Sequence, residues 1–366
     1  MAILFCSCEK EINRPGYDKN REIYLRASVE KGIESKAPVL SNPGNGMSLD
    51  VAVWASTTDD KYLNKDLNGT TSSEVAIHTT GHFVNTTPQL LANAIYPKFN
   101  DVTSTVYFTA YHPQVGWSTN ATGTNATFTF EGNEDVMFAP QVSGQYGTDI
   151  NNSPTLRFKH LLTLLSVEIL AETEDVSLAW GKLESISIQN KDNTGMDSRV
   201  EIDLTNIAVN TADPNASNYY DFIDRQYIKF SNSISKFNLY SYSDGSIYPP
   251  AGGIAIPDKD HTSEYEKVAY VMCPPVEALV PSADPLDNTK EYVITISTTN
   301  RSNITVPVDL VESFDANTST TTYFSGSTMG YHFTLKLLFK MGDKISVTAT
   351  VKDWKNGGMG IGDLYE

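Results

Sequence analysis

The sequence predicts an all-β protein made of two tandem β-sandwich domains, and three observations carry that expectation. Short segments of two-residue apolar alternation recur along the chain. Clusters of Gly, Pro, Asn, Asp and Ser punctuate them, as turns between strands require. Long segments with the 3.6-residue period of a helix are almost wanting.

The first element spans residues 22–30, where Ile23, Leu25, Ala27 and Val29 face one way. Glu22, Tyr24, Arg26, Ser28 and Glu30 face the other, the pattern of a half-buried strand. After a loop holding Pro38, Pro43, Gly44 and Gly46, residues 47–55 alternate again. Further strands are read at 105–111, 126–130, 166–170, 183–189, 199–204, 227–230 and 236–242. Others follow at 267–272, 291–298, 302–308, 331–339 and 344–354. One short helix is expected at 87–95, with Pro88 suited to its first turn. The run 149–154 (DINNSP) is the strongest punctuation near the middle. It divides an N-terminal sandwich, 22–154, from a C-terminal one, 155–354, leaving a leading segment, 1–21, and a tail, 355–366.

At 366 residues the chain holds two cores of ordinary size. Hydrophobic residues make up 40% and mean hydropathy is -0.28, values of neither a disordered nor a membrane-filling chain. The net charge of -17 and pI near 4.7 exclude nucleic acid as a partner, because no basic stripe displaces phosphate counterions.

The cysteines are Cys6, Cys8 and Cys273. The opening MAILFCSC is an apolar run ending in a small residue and a cysteine, followed by charged Glu9, Lys10 and Glu11. It resembles the end of a lipoprotein signal, in which Cys8 becomes the lipidated terminus. Cys8 suits that role better than Cys6, because Ser7 is small and Phe5 is bulky. Cys273 closes an apolar run before Pro274 and Pro275 and reads as a buried, inert thiol. No disulfide framework is expected, so packing alone must hold both cores.

Four further patterns are spread along the chain: Cys8 followed by one isolated strand, NEDVMFA at 133–139, FKHLLTLLSVEI at 158–169, and ISVTATVKDW at 345–354. Together they resemble the fimbrillin family, the type V pilins of Gram-negative anaerobes. The resemblance implies two transthyretin-like sandwiches, export through the periplasm as an outer-membrane lipoprotein, and a structural role in a surface fimbria that supports adhesion. It also implies assembly by donor-strand exchange. A processing protease removes the first strand, and a neighbouring subunit's tail fills the groove. The matching cleavage position is Lys36–Ala37, where the family has Arg; the alternatives are Arg26, within the strand, or no cleavage, as would suit a basal anchor that keeps its lipid. The implied partners are other pilin subunits in a homopolymer, or anchor and tip subunits.

The residues suit such an exchange on physical grounds. Withdrawing the first strand would uncover the pocket of Ile23, Leu25, Ala27 and Val29 and leave unpaired edges, both of which bind extended chains. In the tail, Gly357 and Gly358 form a joint. Met359, Ile361 and Tyr365 then fall on one face and Gly358, Gly360 and Gly362 on the other, with Leu364 following in the same candidate donor strand, so a backbone can lie deep in a groove.

Catalytic groups do not converge, and neither an enzyme nor a cofactor is expected. His78 and His82 stand four apart, but Gly81 and a missing adjacent Glu argue against a zinc helix. His160, between apolar residues, reads as a core histidine. Residues 190–201 copy the ligand spacing of a calcium loop, yet strands flank them, and a hairpin loop is the better account. The alternative function is a non-polymerising lipoprotein adhesin, with Trp117, Tyr219 and Tyr220 stacking on glycan or docking a host protein.

Overall fold

A computed structural model describes residues 25–29, 47–56, 77–83, 89–90, 105–119, 125–144, 154–190, 195–203, 228–275, 277–278, 290–315, 320–323, 326–342 and 344–352. Strands dominate it. In chain order they are β1 (Arg26–Val29), β2 (Met47–Ser56), β3 (Ile77–Phe83), β4 (Gln89–Leu90), β5 (Val106–His112), β6 (Ser118–Thr119), β7 (Asn125–Thr129) and β8 (Met137–Gly144). Next come β9 (Thr155–His160), β10 (Thr163–Ala171), β11 (Lys182–Asn190), β12 (Met196–Asp203), β13 (Ile228–Ile234), β14 (Phe237–Ser241), β15 (Ile247–Tyr248) and β16 (Ile254–Ala255). The last are β17 (Glu266–Cys273), β18 (Glu277–Ala278), β19 (Lys290–Thr298), β20 (Arg301–Asp315), β21 (Thr320–Tyr323), β22 (Gly326–Ser327), β23 (His332–Lys340) and β24 (Lys344–Lys352). A single helix among the described residues, α1 (Glu174–Trp180), separates β10 from β11.

The strands form three principal sheets. The first has seven strands in the order β3-β2-β5-β8-β9-β1-β4. A second runs β14-β17-β10-β23-β24-β20-β19-β11, and β11 pairs back onto β14 through Ser187↔Asn238 and Ile188↔Phe237, so this path closes into a ring. A ring leaves few exposed ladder groups, which suits a protein kept free of edge-to-edge aggregation. The third sheet has four strands, β13-β12-β7-β6, and so joins strands from both sides of residue 154. The all-β architecture is the one the alternation predicts.

Local sequence explains these elements. Along β12, Met196, Ser198, Val200 and Ile202 are buried and their neighbours half-buried, a strict two-residue alternation. β10 is buried at almost every position, as a strand covered on both faces must be. The core gathers Leu165, Val167 and Ile169 of β10 with Phe333, Leu335, Leu337 and Phe339 of β23, and takes in Phe128, Phe130 and Phe138 from earlier in the chain.

Four expectations need correcting. Residues 87–95 are not a helix at their described positions, because Gln89 and Leu90 pair with Ala27 and Arg26 as strand β4. The helix that does form begins at the N-cap Thr173, whose Oγ1 accepts from the Val176 amide at 3.3 Å. Glu174 and Asp175 occupy its first turn, Asp260 accepts from the Glu174 amide at 2.8 Å, and Gly181 closes it at φ 76°. Strands β3, β8, β9 and β21, and the two-residue strands β6, β15, β16, β18 and β22, also form where alternation marks none. Finally, β11 and β12 flank residues 190–201 as strands but do not form a hairpin. Both edges of β11 are taken, by β19 on one side and by β14 and β16 on the other, so β12 pairs with β7 and β13 instead.

The chain passes from the first sheet into the ring at Leu161 and Leu162. β9 pairs with β8 and β1, whereas β10 pairs with β17 and β23.

Candidate functional site

The residues of greatest functional interest are those of the first strand and its lane in the seven-stranded sheet. β1 lies between two neighbours. It pairs in parallel with β9 through Arg26↔Thr155, Ala27↔Leu156, Ser28↔Arg157 and Val29↔Phe158. On its other side it pairs antiparallel with β4 through Arg26↔Leu90 and Ala27↔Gln89. The Arg26 amide donates to the Pro154 carbonyl at 2.9 Å and fixes the start of the parallel register. Leu25, immediately before the strand, is 1% exposed, and Leu156 and Phe158 of β9 are fully buried. The segment is a strand, as its alternation predicts; its insertion between two neighbours is a finding of the structure.

Arg26 is half-buried, and its Nε is shielded from solvent with no hydrogen-bond partner among the described residues. A protease binds its substrate as a separate extended strand, so cleavage at Arg26 requires β1 to leave the sheet first. Ala27 and Val29 lie in β1 opposite Leu156 and Phe158. Ile23, Cys8, Lys36, Ala37, Met359, Ile361, Leu364 and Tyr365 lie outside the described residues, as do Tyr219 and Tyr220.

Below the lane, three strand ends meet. His112 of β5 is opposite Met137 of β8, which is opposite His160 of β9. His160 Nδ1 donates to Asp135 Oδ1 at 2.8 Å, with both side chains buried. His160 is the core histidine its neighbours predict, and its partner Asp135 falls within the 133–139 motif, whose residue pattern gives no sign of the pairing. His112 Nδ1 donates to the Asp50 carbonyl at 2.9 Å. Burial lowers its pKa below 6.5. Asp135 and the Asp50 bond oppose that effect, and the nearby His160 reinforces it. In the window just below pH 6.5 the unfolded chain therefore binds a proton that the folded protein refuses. Stability should fall as pH drops through 6.5 towards the folded value, and His112→Gln should flatten that part of a urea-midpoint versus pH profile.

Other candidates do not assemble into chemistry. His78 and His82 lie on β3 opposite Ala52 and Ser48. Four residues along a strand separate them by about 13 Å, too far to share one metal ion. Among the described residues no three of His, Cys, Asp and Glu are grouped to hold a metal. Of residues 190–201, 191–194 lie outside the description, and Asn190 Nδ2 donates to the Gly195 carbonyl at 2.7 Å. Trp117 packs between Tyr111, at 4.7 Å between ring centroids, and Phe128, at 5.3 Å, so its faces serve the interior. Cys273 is wholly buried and is a free thiol, as its apolar run predicts. No helix among the described residues is long and apolar enough to cross a membrane.

A profile described as fimbrillin-like matches residues 41–354. The chain belongs to the fimbrillin-like family. Membership gives it a fimbrial or adhesive role at the cell surface, beside other pilin subunits and without catalysis. Solved structures similar to this fimbrillin-like chain include a candidate cell adhesion protein from Bacteroides uniformis, at 14% identity and a TM-score of 0.49, covering 92% of this chain and 100% of that one. Another is the tip fimbrial protein Mfa3 from Porphyromonas gingivalis with C-terminal truncation, at 11% identity and a TM-score of 0.40, covering 91% and 100%. A fimbrial protein from Bacteroides vulgatus is similar at 14% identity and a TM-score of 0.38, covering 91% and 99%. No curated protein matches the chain in sequence.

Proposed function

We propose that this protein is a fimbrial subunit that polymerises when β1 is released and a neighbouring copy's tail takes its lane. In this reading Cys8 carries the lipid through the periplasm to the outer membrane. A protease cuts at Lys36–Ala37, and Met359, Ile361, Leu364 and Tyr365 of the next subunit supply the replacing strand. The observation that carries the proposal is the insertion of β1 between β9 and β4, anchored by Leu25. Burying a leucine side chain is worth ~1.5–3 kcal/mol, and each backbone hydrogen bond adds ~0.5–1.5 kcal/mol. An emptied lane therefore binds an extended apolar segment strongly. Of the two processing positions, Lys36 fits better, because cleavage at Arg26 would need the strand to detach beforehand. The adhesin reading has less support, since Trp117 is engaged inside the fold.

Trypsin treatment of the purified full chain should produce a ladder that survives detergent on a gel, with each unit beginning at Ala37. Lys36→Ala, or deletion of residues 357–366, should leave monomers only. A ladder that persists without the tail, or units that still carry Leu25, would sink the proposal.

A further inference from the structure

We infer that the two halves of this chain are locked together by a reciprocal exchange of strands within one molecule, and that the connection between β8 and β9 is not what joins them. Consider a cut anywhere between Gly144 and Pro154. The first fragment then holds β1 to β8, and the second holds β9 to β24. Each fragment leaves strands embedded in the other. β9 belongs to the second fragment but lies in the seven-stranded sheet between β8 and β1. β6 and β7 belong to the first but complete the four-stranded sheet beside β12 and β13.

Both embeddings are well tied. β7 pairs with β12 over five residues, from Asn125↔Asp203 to Thr129↔Arg199, and Asn125 Nδ2 donates to Glu201 Oε1 at 2.8 Å. Just beyond the strand, the Phe130 amide donates to Ser198 O at 2.8 Å, and the Met272 amide to Gly132 O at 2.8 Å. The Phe130 ring is 1% exposed and stacks on Phe237 of the ring at 5.7 Å and 2° between planes. A Cβ on Gly132 would come within 3.0 Å of Phe237 and Val271, so the arm is pressed against the ring's own side chains. In the other direction the Arg26 amide holds Pro154 O at 2.9 Å, and the Leu161 amide holds Val136 O at 2.9 Å. The His160–Asp135 bond also spans the cut.

Two ladders act at once, one of them backed by the buried Phe130, so opening either one leaves its partner holding the ends close together, where re-pairing is favoured. A pull applied between the halves is resisted by both ladders together. The lock does not depend on the release of β1, because β9 keeps its pairing with β8 and β7 keeps β12.

The test places a specific protease site between β8 and β9 of the full chain and cuts the folded protein. The two fragments should run as one species on native size exclusion and unfold in one transition. Elution as two separate species would overturn the lock. Hydrogen exchange on the uncut natural chain gives an independent reading if the inserted site prevents folding. Protection of β7 and β12 should agree within about tenfold, as for one cooperative unit. A β7 that exchanges a hundredfold faster than β12 would overturn the lock too.

Discussion

Replacing Trp180 by alanine should lower the unfolding free energy by about 3–5 kcal/mol, the upper range for truncating a buried aromatic. The ring is 1% exposed and meets Phe339 edge-on at 5.1 Å between centroids. Its Nε1 donates to the Lys340 carbonyl at 2.9 Å, and the Arg301 guanidinium lies 5.5 Å from the ring. The alanine variant loses all three contacts and orphans a carbonyl at the turn between β23 and β24. Trp180→Phe keeps the packing and loses the hydrogen bond, so it should cost about 1–2 kcal/mol less than the alanine change. Urea titration separates the two through their midpoints. Equal destabilisation by both variants would mean that the hydrogen bond, not the ring, holds the helix down.

Asp135→Ala should cost about 3 kcal/mol, because it leaves the His160 imidazole buried without the carboxylate that accepts its proton. The effect should be larger than for most polar substitutions, since Asp135 and His160 stand where the chain turns between the seven-stranded sheet and the ring. Replacing both partners with apolar residues, Asp135→Val with His160→Leu, should recover most of the loss. A double variant no better than the single one would show that the pair fixes the backbone crossing itself, beyond satisfying its own atoms.

Much of the fold is legible in residue order, and the reasons differ by element. Residues 47–55, 183–189 and 291–298 announce themselves through alternation over a half-buried surface, and each forms a strand within about two residues of the reading. β9 alternates just as cleanly, with Leu156, Phe158 and His160 buried, but it runs almost directly into the apolar β10 and loses its own outline. β8 carries Pro140 and few alternating positions, which hides it. The helix had its signals, a Thr N-cap, two acids and a closing Gly181, within a segment too short for periodicity to show. The pairing of β7 with β12 has no local signature at all. Nothing in Asn125–Thr129 specifies a partner some 70 residues on, because register across sheets is decided by which edges remain open after the others have paired. Of the candidate site, Leu25 and its strand were legible from alternation. The parallel direction of β1 and its second neighbour β4 were not.

The burial of Cys273 has a chemical consequence for a protein that works outside the cell. Its thiol pKa is pushed up to about 12 by loss of solvent, with a hydrogen bond to Tyr292 acting in the opposite direction. At pH 8 the thiol then stays protonated, and the thiolate is the form that oxidants and disulfides attack. A lone surface cysteine in oxidising surroundings would weld copies together at random. Sealed in this way, the Cys273 sulfur is chemically mute.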